Sequence, residues 1–180
     1  PELWPPELVW SDGMYYFIFQ EEDCIGLRCT TEEGHMVPCA SGWTPCGAMD
    51  GEVIINACRD VGGIAYAYHV EAVDELRFVR TVDPSLANTV VAETDPTSVA
   101  VAWTGSDYGI CWCSEGKPWF GMVDPGGRLL GANIVAYEGT DECAGCYTAW
   151  AGAEFGLVWF GRGLDGIYRV YAARIRPGGS

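Results

Sequence analysis

"AWTGSDYGICW", residues 102–112, returns in altered form as "AWAGAEFGLVW" at 149–159. Trp103 and Trp150, Gly109 and Gly156, and Trp112 and Trp159 are each about 47 residues apart, a spacing typical of tandem structural repeats. A similar step backwards from Gly109 reaches Gly63 in "RDVGGIAYAY", with Tyr66 in the place of Trp112 and Ala57 in that of Trp103. One more step reaches Tyr16 in "VWSDGMYYFIF", where Phe19 and Trp10 take those two places. Four copies, bounded roughly as 8–52, 53–97, 98–145 and 146–180, therefore account for nearly the whole chain.

Each copy reads as strand, tight turn, strand. "SVAVAW" and "CYTAW" are apolar or alternating, "WSDG", "TGSD" and "AGAE" are turn-forming, and "YYFIF", "YGICWC" and "FGLVWF" are β-branched or aromatic runs. A third strand is expected at "CIGLRCTT", "ELRFVRTV", "PWFGMV" and "IYRVYAARI", closed by turns such as "DPGG" and "RPGG". A fourth is expected at 86–93 and 128–136, with a weaker one around 35–38. No stretch sustains a 3.6-residue period behind a capping box, so helix content should be close to nil. The fold class that follows is all-β: a β-propeller of about four blades, each of four antiparallel strands, forming a single domain with a period of about 46–47 residues.

The W-[TA]-G-x-[DE]-[YF]-G-[IL]-x-W core with its following D-P-G-G type turn resembles the tandem repeats of secreted bacterial β-propeller proteins. It is similar, more distantly, to sialidase-type Asp-box and integrin-like repeats. The resemblance implies architecture rather than activity, because propellers host lectins, hydrolases and protein-docking platforms alike.

Ten basic and 25 acidic residues give a net charge of −15, which opposes binding to nucleic acid or to an anionic membrane. No apolar run approaches the ~18 residues of a membrane-spanning helix, so no membrane insertion is expected. The chain starts at Pro1 without methionine and is read as a mature or excised segment. Nine cysteines point to a secreted, periplasmic or cell-surface location, where disulfides persist. Local pairs are expected for Cys24 with Cys29, Cys39 with Cys46, and Cys143 with Cys146. Cys58, Cys111 and Cys113 are left as an odd set with at least one free thiol. A tetrahedral zinc site from Cys111, Cys113, Cys143 and Cys146 is the alternative, but the reading adopted is no metal and no cofactor.

Trp10, Trp103 and Trp150 recur at one repeat position, and Phe19, Tyr66, Trp112 and Trp159 at another, so both sets are assigned to the core. Trp4, Trp43 and Trp119 have no counterparts at repeat spacing and are the candidate binding aromatics, Trp43 foremost. Asp107, Glu154 and Asp60 recur beside the first turn and are expected to bond amides within it.

Catalytic constellations are thin. His35 and His69 are the only imidazoles, and no nucleophile elbow, metalloprotease, phosphate-loop or calcium-loop motif is present. Arg28, Arg77 and Arg169 fall in third strands, the placement a sialidase-like carboxylate clamp would need, although charged residues alternating along a strand ordinarily mark its solvent face. The expectation is a non-enzymatic protein-binding or assembly module, with a lectin-like propeller as the alternative and a sialidase-like glycosidase behind it. The partner is a protein or a surface glycan. Leu3 and Trp4 are expected to add an edge strand to copy four and close a four-bladed ring. Failing closure, the chain is a segment of a six-to-eight-bladed propeller, or its open blade faces self-associate and two copies join into an eight-bladed ring.

Overall fold

The computed structural model describes residues 6–21, 24–37, 55–61, 63–81 and 89–177. Every regular element among them is a strand, except one 3-10 turn at Glu71–Val73. The strands form four antiparallel meanders, each made of consecutive strands joined by short connections. Sheet one holds β1 (Glu7–Ser11), β2 (Met14–Glu21), β3 (Cys24–Thr31) and β4 (Met36–Val37). Sheet two holds β5 (Ile55–Asp60), β6 (Gly63–Val70), β7 (Glu75–Arg80) and β8 (Thr89–Glu93). Sheet three holds β9 (Ser98–Trp103), β10 (Tyr108–Ser114), β11 (Lys117–Val123) and β12 (Ile134–Val135). Sheet four has three described strands, β13 (Thr140–Trp150), β14 (Phe155–Gly163) and β15 (Tyr168–Ile175). This is the blade pattern of a β-propeller, present four times. The strand expected at Leu3 and Trp4 lies outside the described residues.

Turn chemistry sets the registers. Asp12 and Gly13 both have positive φ, 50° and 78°, the type I′ geometry whose twist matches a hairpin. Glu115 and Gly116, at 52° and 74°, make the same turn between β10 and β11. In sheets three and four the first hairpin is pinched by Thr104 N–H to Asp107 O and Ala151 N–H to Glu154 O, each 2.9 Å. Gly105 and Gly152 lead those turns with φ of 104° and 88°.

The registers correct the repeat alignment in copy two. Asp60 pairs with Gly63 there, whereas Ser11 pairs with Met14 in copy one, so Gly63 is the counterpart of Met14 and Asp107, not of Gly109. Ala65 takes the Gly109 place, Tyr68 rather than Tyr66 takes that of Trp112, and Arg59 rather than Ala57 that of Trp103. The slip arose because Tyr66 and Tyr68 are two apart on one face of a strand buried along its whole length, so either reproduces the period.

A second correction concerns Trp10, Trp103 and Trp150, which are not core. Trp10 is exposed and the other two are half-buried. Each sits at the mouth of its hairpin and faces the aromatic directly across it: Trp10 with Tyr15 at 4.5 Å, Trp103 with Tyr108 at 4.4 Å, Trp150 with Phe155 at 4.8 Å. They clasp the first turn.

The chain divides into two compact units, one running to Glu93 and the other starting at Thr94, and one packing rule holds within each. Alternation gives the central strand a front and a back. In the first unit the back of β2, Tyr16 and Ile18, packs on the front of β6, Ile64, Tyr66 and Tyr68. In the second, the back of sheet three, with Ala100, Ala102, Cys111 and Cys113, receives the front of β14, Phe155, Leu157 and Trp159. Gly109 is glycine because a Cβ there would run into the Phe155 ring.

Trp112 and Trp159 are each 2% exposed. Trp159→Ala and Trp112→Ala should each cost about 3–5 kcal/mol in urea denaturation. Trp103→Ala, which removes a hairpin clasp, should cost only about 1 kcal/mol. Equal losses would show that the front-to-back assignment is wrong.

Candidate functional site

Of the three tryptophans singled out, Trp4 and Trp43 lie outside the described residues. Trp119 lies on β11 directly opposite Trp112, stacked on it at 6.3 Å and 9°, with its indole N–H donating to Ser114 O. It does have a repeat counterpart: Tyr171 pairs with Trp159 and stacks on it at 5.6 Å, also at 9°. Spacing hid this, because β14 and β15 run further beyond the pair than β10 and β11 do, and Leu164–Ile167 join them where two residues join β10 to β11. Trp119 is half-buried and built into a cross-strand pair.

The surface that stands out is the back of sheet four. Alternation sends Phe155, Leu157 and Trp159 inward, and Val158 and Phe160 outward at 43% and 49% exposure. The registers line their neighbours into rows across the sheet: Tyr147, Val158 and Ala172, then Ala144, Phe160 and Val170. The next row, Glu142, Arg162 and Tyr168, is polar, with Tyr168 Oη donating to Glu142 Oε2 at 2.7 Å. Arg174 bounds the other side. An apolar centre with a charged rim is the anatomy of a protein interface. Gly156 occupies the place of Gly109, but a Cβ there would meet no atom nearer than 4.0 Å, so the notch that Phe155 fills on sheet three is open on sheet four. Residues 140–176 carry four acids and four arginines; the net charge of −15 resides entirely outside them.

The turn acids divide. Asp60 behaves as expected, accepting Val61 N–H at 2.6 Å, and it also holds Arg80 at 2.6 Å. In copy three the turn amides of Ser106 and Asp107 go instead to Thr104 Oγ1. In copy four Glu154 receives Arg174 and Arg176 at 3.3 and 3.2 Å and stands at a cleft of about 480 Å³ walled by Val135, Ala173 and Ile175. The three third-strand arginines are engaged locally: Arg28 lies over the Phe19 ring, Arg77 pairs with Glu75 and Arg169 with Asp165. Arg169 holds the Asp165 carboxyl down at about 2.

The cysteine pairing differs from expectation in one place. Cys143 is bonded to Cys113, not to Cys146. The partner lies on the facing sheet rather than along the strand, which the docking of β13 over sheet three alone determines. Cys58, Cys111 and Cys146 are free thiols. Cys29 is in a disulfide; Cys39, Cys46 and the side chain of Cys24 lie outside the described residues. Burial, and then Asp60, push the Cys58 thiol up to about 12. Among the described residues no helix is long and apolar enough to cross a membrane.

No family model and no curated protein matches this chain. Among solved structures it is similar to a protein from Lactobacillus plantarum, at 10% identity and a TM-score of 0.49 over 96% of this chain and 55% of that one. It is similar to an exo-1,5-α-L-arabinanase from a bovine ruminal metagenomic library, at 12% and 0.48 over 96% and 74%. It is also similar to oligopeptidase B from Trypanosoma brucei, at 10% and 0.47 over 93% and 27%. The chain thus spans about half the length of the first and about a quarter of the oligopeptidase. At these values the likenesses leave the chemistry to this chain's own residues.

Arg80→Met would strand the Asp60 carboxylate, whose side chain is fully buried, and should cost about 3–5 kcal/mol in denaturant titration. Cys58 should resist iodoacetamide in the native protein at about pH 8 and react on unfolding. The folded chain keeps that proton while the unfolded chain releases it above about 8.5. Its contribution to stability is therefore complete below that pH and is lost as pH rises toward 12. Rapid native alkylation would contradict the assignment.

Proposed function

We propose that this chain is a non-enzymatic, extracytoplasmic assembly module of the propeller type, and that the back of sheet four docks the front of sheet one from a second copy. One observation carries the proposal: an exposed apolar sheet back that keeps the glycine of sheet three's back, Gly156 for Gly109, with the notch unfilled, and carries Val158 and Phe160 where sheet three has Cys111 and Cys113. What fills the notch on sheet three is the aromatic front of another blade. Sheet one offers such a front in Tyr15, Phe17 and Phe19, all half-buried and on the face opposite to Tyr16 and Ile18.

Electrostatics favours this face for association between like chains. Two molecules each carrying −15 repel, and the fourth sheet is where that repulsion is least, because its own charges cancel. A back-to-front contact is heterologous, so it yields a ring if it closes and a filament if it does not. Two copies of four blades make eight, within the usual range for propellers.

A binding rather than catalytic role is supported by the engagement of the described carboxylates at the candidate positions. Asp60 and Glu154 each face an arginine, and Asp107 accepts from Ser106 Oγ. An extracytoplasmic location is supported by the Cys113–Cys143 disulfide.

Native mass spectrometry and sedimentation across a concentration series should give a dimer of the 19.5 kDa chain. The double change Val158→Asp with Phe160→Asp should give monomer with an unaltered β-sheet circular dichroism spectrum. Gly156→Phe, whose Cβ would meet no atom nearer than 4.0 Å, should do the same. A wild-type chain that stays monomeric at all concentrations would overturn the second-copy reading, and glycan-array binding that survives the double change would favour a lectin.

A further inference from the structure

The two thiols left free in the second unit are not isolated. Strict alternation along β10 puts Cys111 and Cys113 on the back of sheet three, against sheet four. On β13, Cys143 and Cys146 are three residues apart and would ordinarily face opposite sides of a strand. A register shift between Ala144 and Tyr147 intervenes, with Gly145 at φ 64°. This bulge adds the residue needed to turn Cys146 back to the same buried face as Cys143. The outcome is two cysteines on each of two facing strands. Cys113 and Cys143 are already joined, with Cα atoms 5.4 Å apart.

Cys111 and Cys146 form the second pair. Both are buried, at 0% and 4% exposure, and the two thiols lie within hydrogen-bonding reach of each other. Ser98, the register partner of Cys113, fixes Cys146 from both ends: its Oγ–H donates to Cys146 Sγ at 3.2 Å, and its Oγ accepts Cys146 N–H at 2.9 Å. Thr97 holds the neighbouring backbone by donating to Cys143 O at 3.1 Å and, through its N–H, to Cys113 O at 2.8 Å. The strands are thus tied at the position where the two thiols meet.

From this arrangement we infer that Cys111 and Cys146 are the site of a second covalent bridge between sheets three and four, formed by oxidation alongside Cys113–Cys143. The oxidant is a disulfide, R–S–S–R, of low molecular weight. The Cys146 thiolate attacks one of its sulfurs, making a mixed disulfide and expelling R–S⁻. Cys111 then gives up its proton and attacks the Cys146 sulfur, expelling the second R–S⁻. The protons of the two cysteines end on the two released thiolates, so one protein disulfide forms and one small disulfide is reduced to two thiols.

The direction of attack follows from the hydrogen bonds. Cys146 is the sulfur that accepts the Ser98 hydroxyl at 3.2 Å, a hydrogen bond that favours its thiolate and makes it the attacking sulfur. The second bridge also protects the first: a nucleophilic thiolate beside a disulfide exchanges with it, and oxidation removes that nucleophile.

The test is peptide mapping of the full chain. The protein is incubated with oxidised glutathione, unfolded in iodoacetamide without reductant, and digested with pepsin at acid pH. The expected species links the two strands through two bridges, with no alkyl group on Cys111 or Cys146. One bridge plus two alkylated cysteines would overturn the inference. So would one equivalent of zinc in native mass spectra with all four cysteines alkylated after chelation. A Cys113→Ser, Cys143→Ser double variant isolates the second pair: it should still form Cys111–Cys146, and thiols that stay alkylatable in it after oxidised glutathione would equally sink the proposal.

Discussion

The contact on which the rest depends is the seating of one sheet's aromatic front on the back of the sheet before it, a back built of small residues in sheet three. A single meander of three or four short strands buries too little apolar surface to offset the entropy of ordering it. Stacking supplies the missing burial. Phe155 against Gly109 shows the constraint in one pair of residues: the ring can approach the β10 backbone only because no Cβ stands there. Small residues around it, Ala100, Ala102, Cys111 and Cys113, keep the same surface shallow enough to admit Leu157 and Trp159.

Around this contact the remaining interactions act as fasteners. Cys113–Cys143 and the Ser98 and Thr97 hydrogen bonds hold β13 over sheet three. In the first unit Ser11 donates to Asp60 O, tying the first hairpins of sheets one and two, while Asp60 and Arg80 form the one ion pair described here whose carboxylate is wholly buried. The hairpin-mouth tryptophans, Trp10, Trp103 and Trp150, stiffen each first turn while staying exposed or half-buried themselves. Each fastener is local to two neighbouring strands or sheets, as expected where stability is a sum of repeat and nearest-neighbour terms.

The same logic makes function a question about the ends of the repeat. Within each unit, the front and back that meet are used up by packing. What remains is the back of sheet four, neutral in an acidic chain and apolar at its centre. It keeps the glycine of the packed back in Gly156, and that open notch is what suits it to a blade front.

How much of this was legible in the residues alone follows from the range of each interaction. The strand pattern, the turns at Asp12–Gly13 and Gly105–Ser106, the near absence of helix and the four-fold repetition all rest on contacts within a few residues or on alternation with period two, so reading the chain located them. The fourth strands at 36–37, 89–93 and 134–135 fell where weak apolar patches placed them. Tertiary structure decided everything that turns on which faces meet. It moved Trp10, Trp103 and Trp150 from the core to the hairpin mouths and paired Trp119 with Trp112. It set copy two's register two residues along, where a fully buried strand gives alternation no polar face to report. It joined Cys143 to Cys113 because the docking of two sheets, which cysteine spacing does not encode, brings them together. A linear pattern specifies which side of a strand is apolar; only packing specifies what that side is apolar toward.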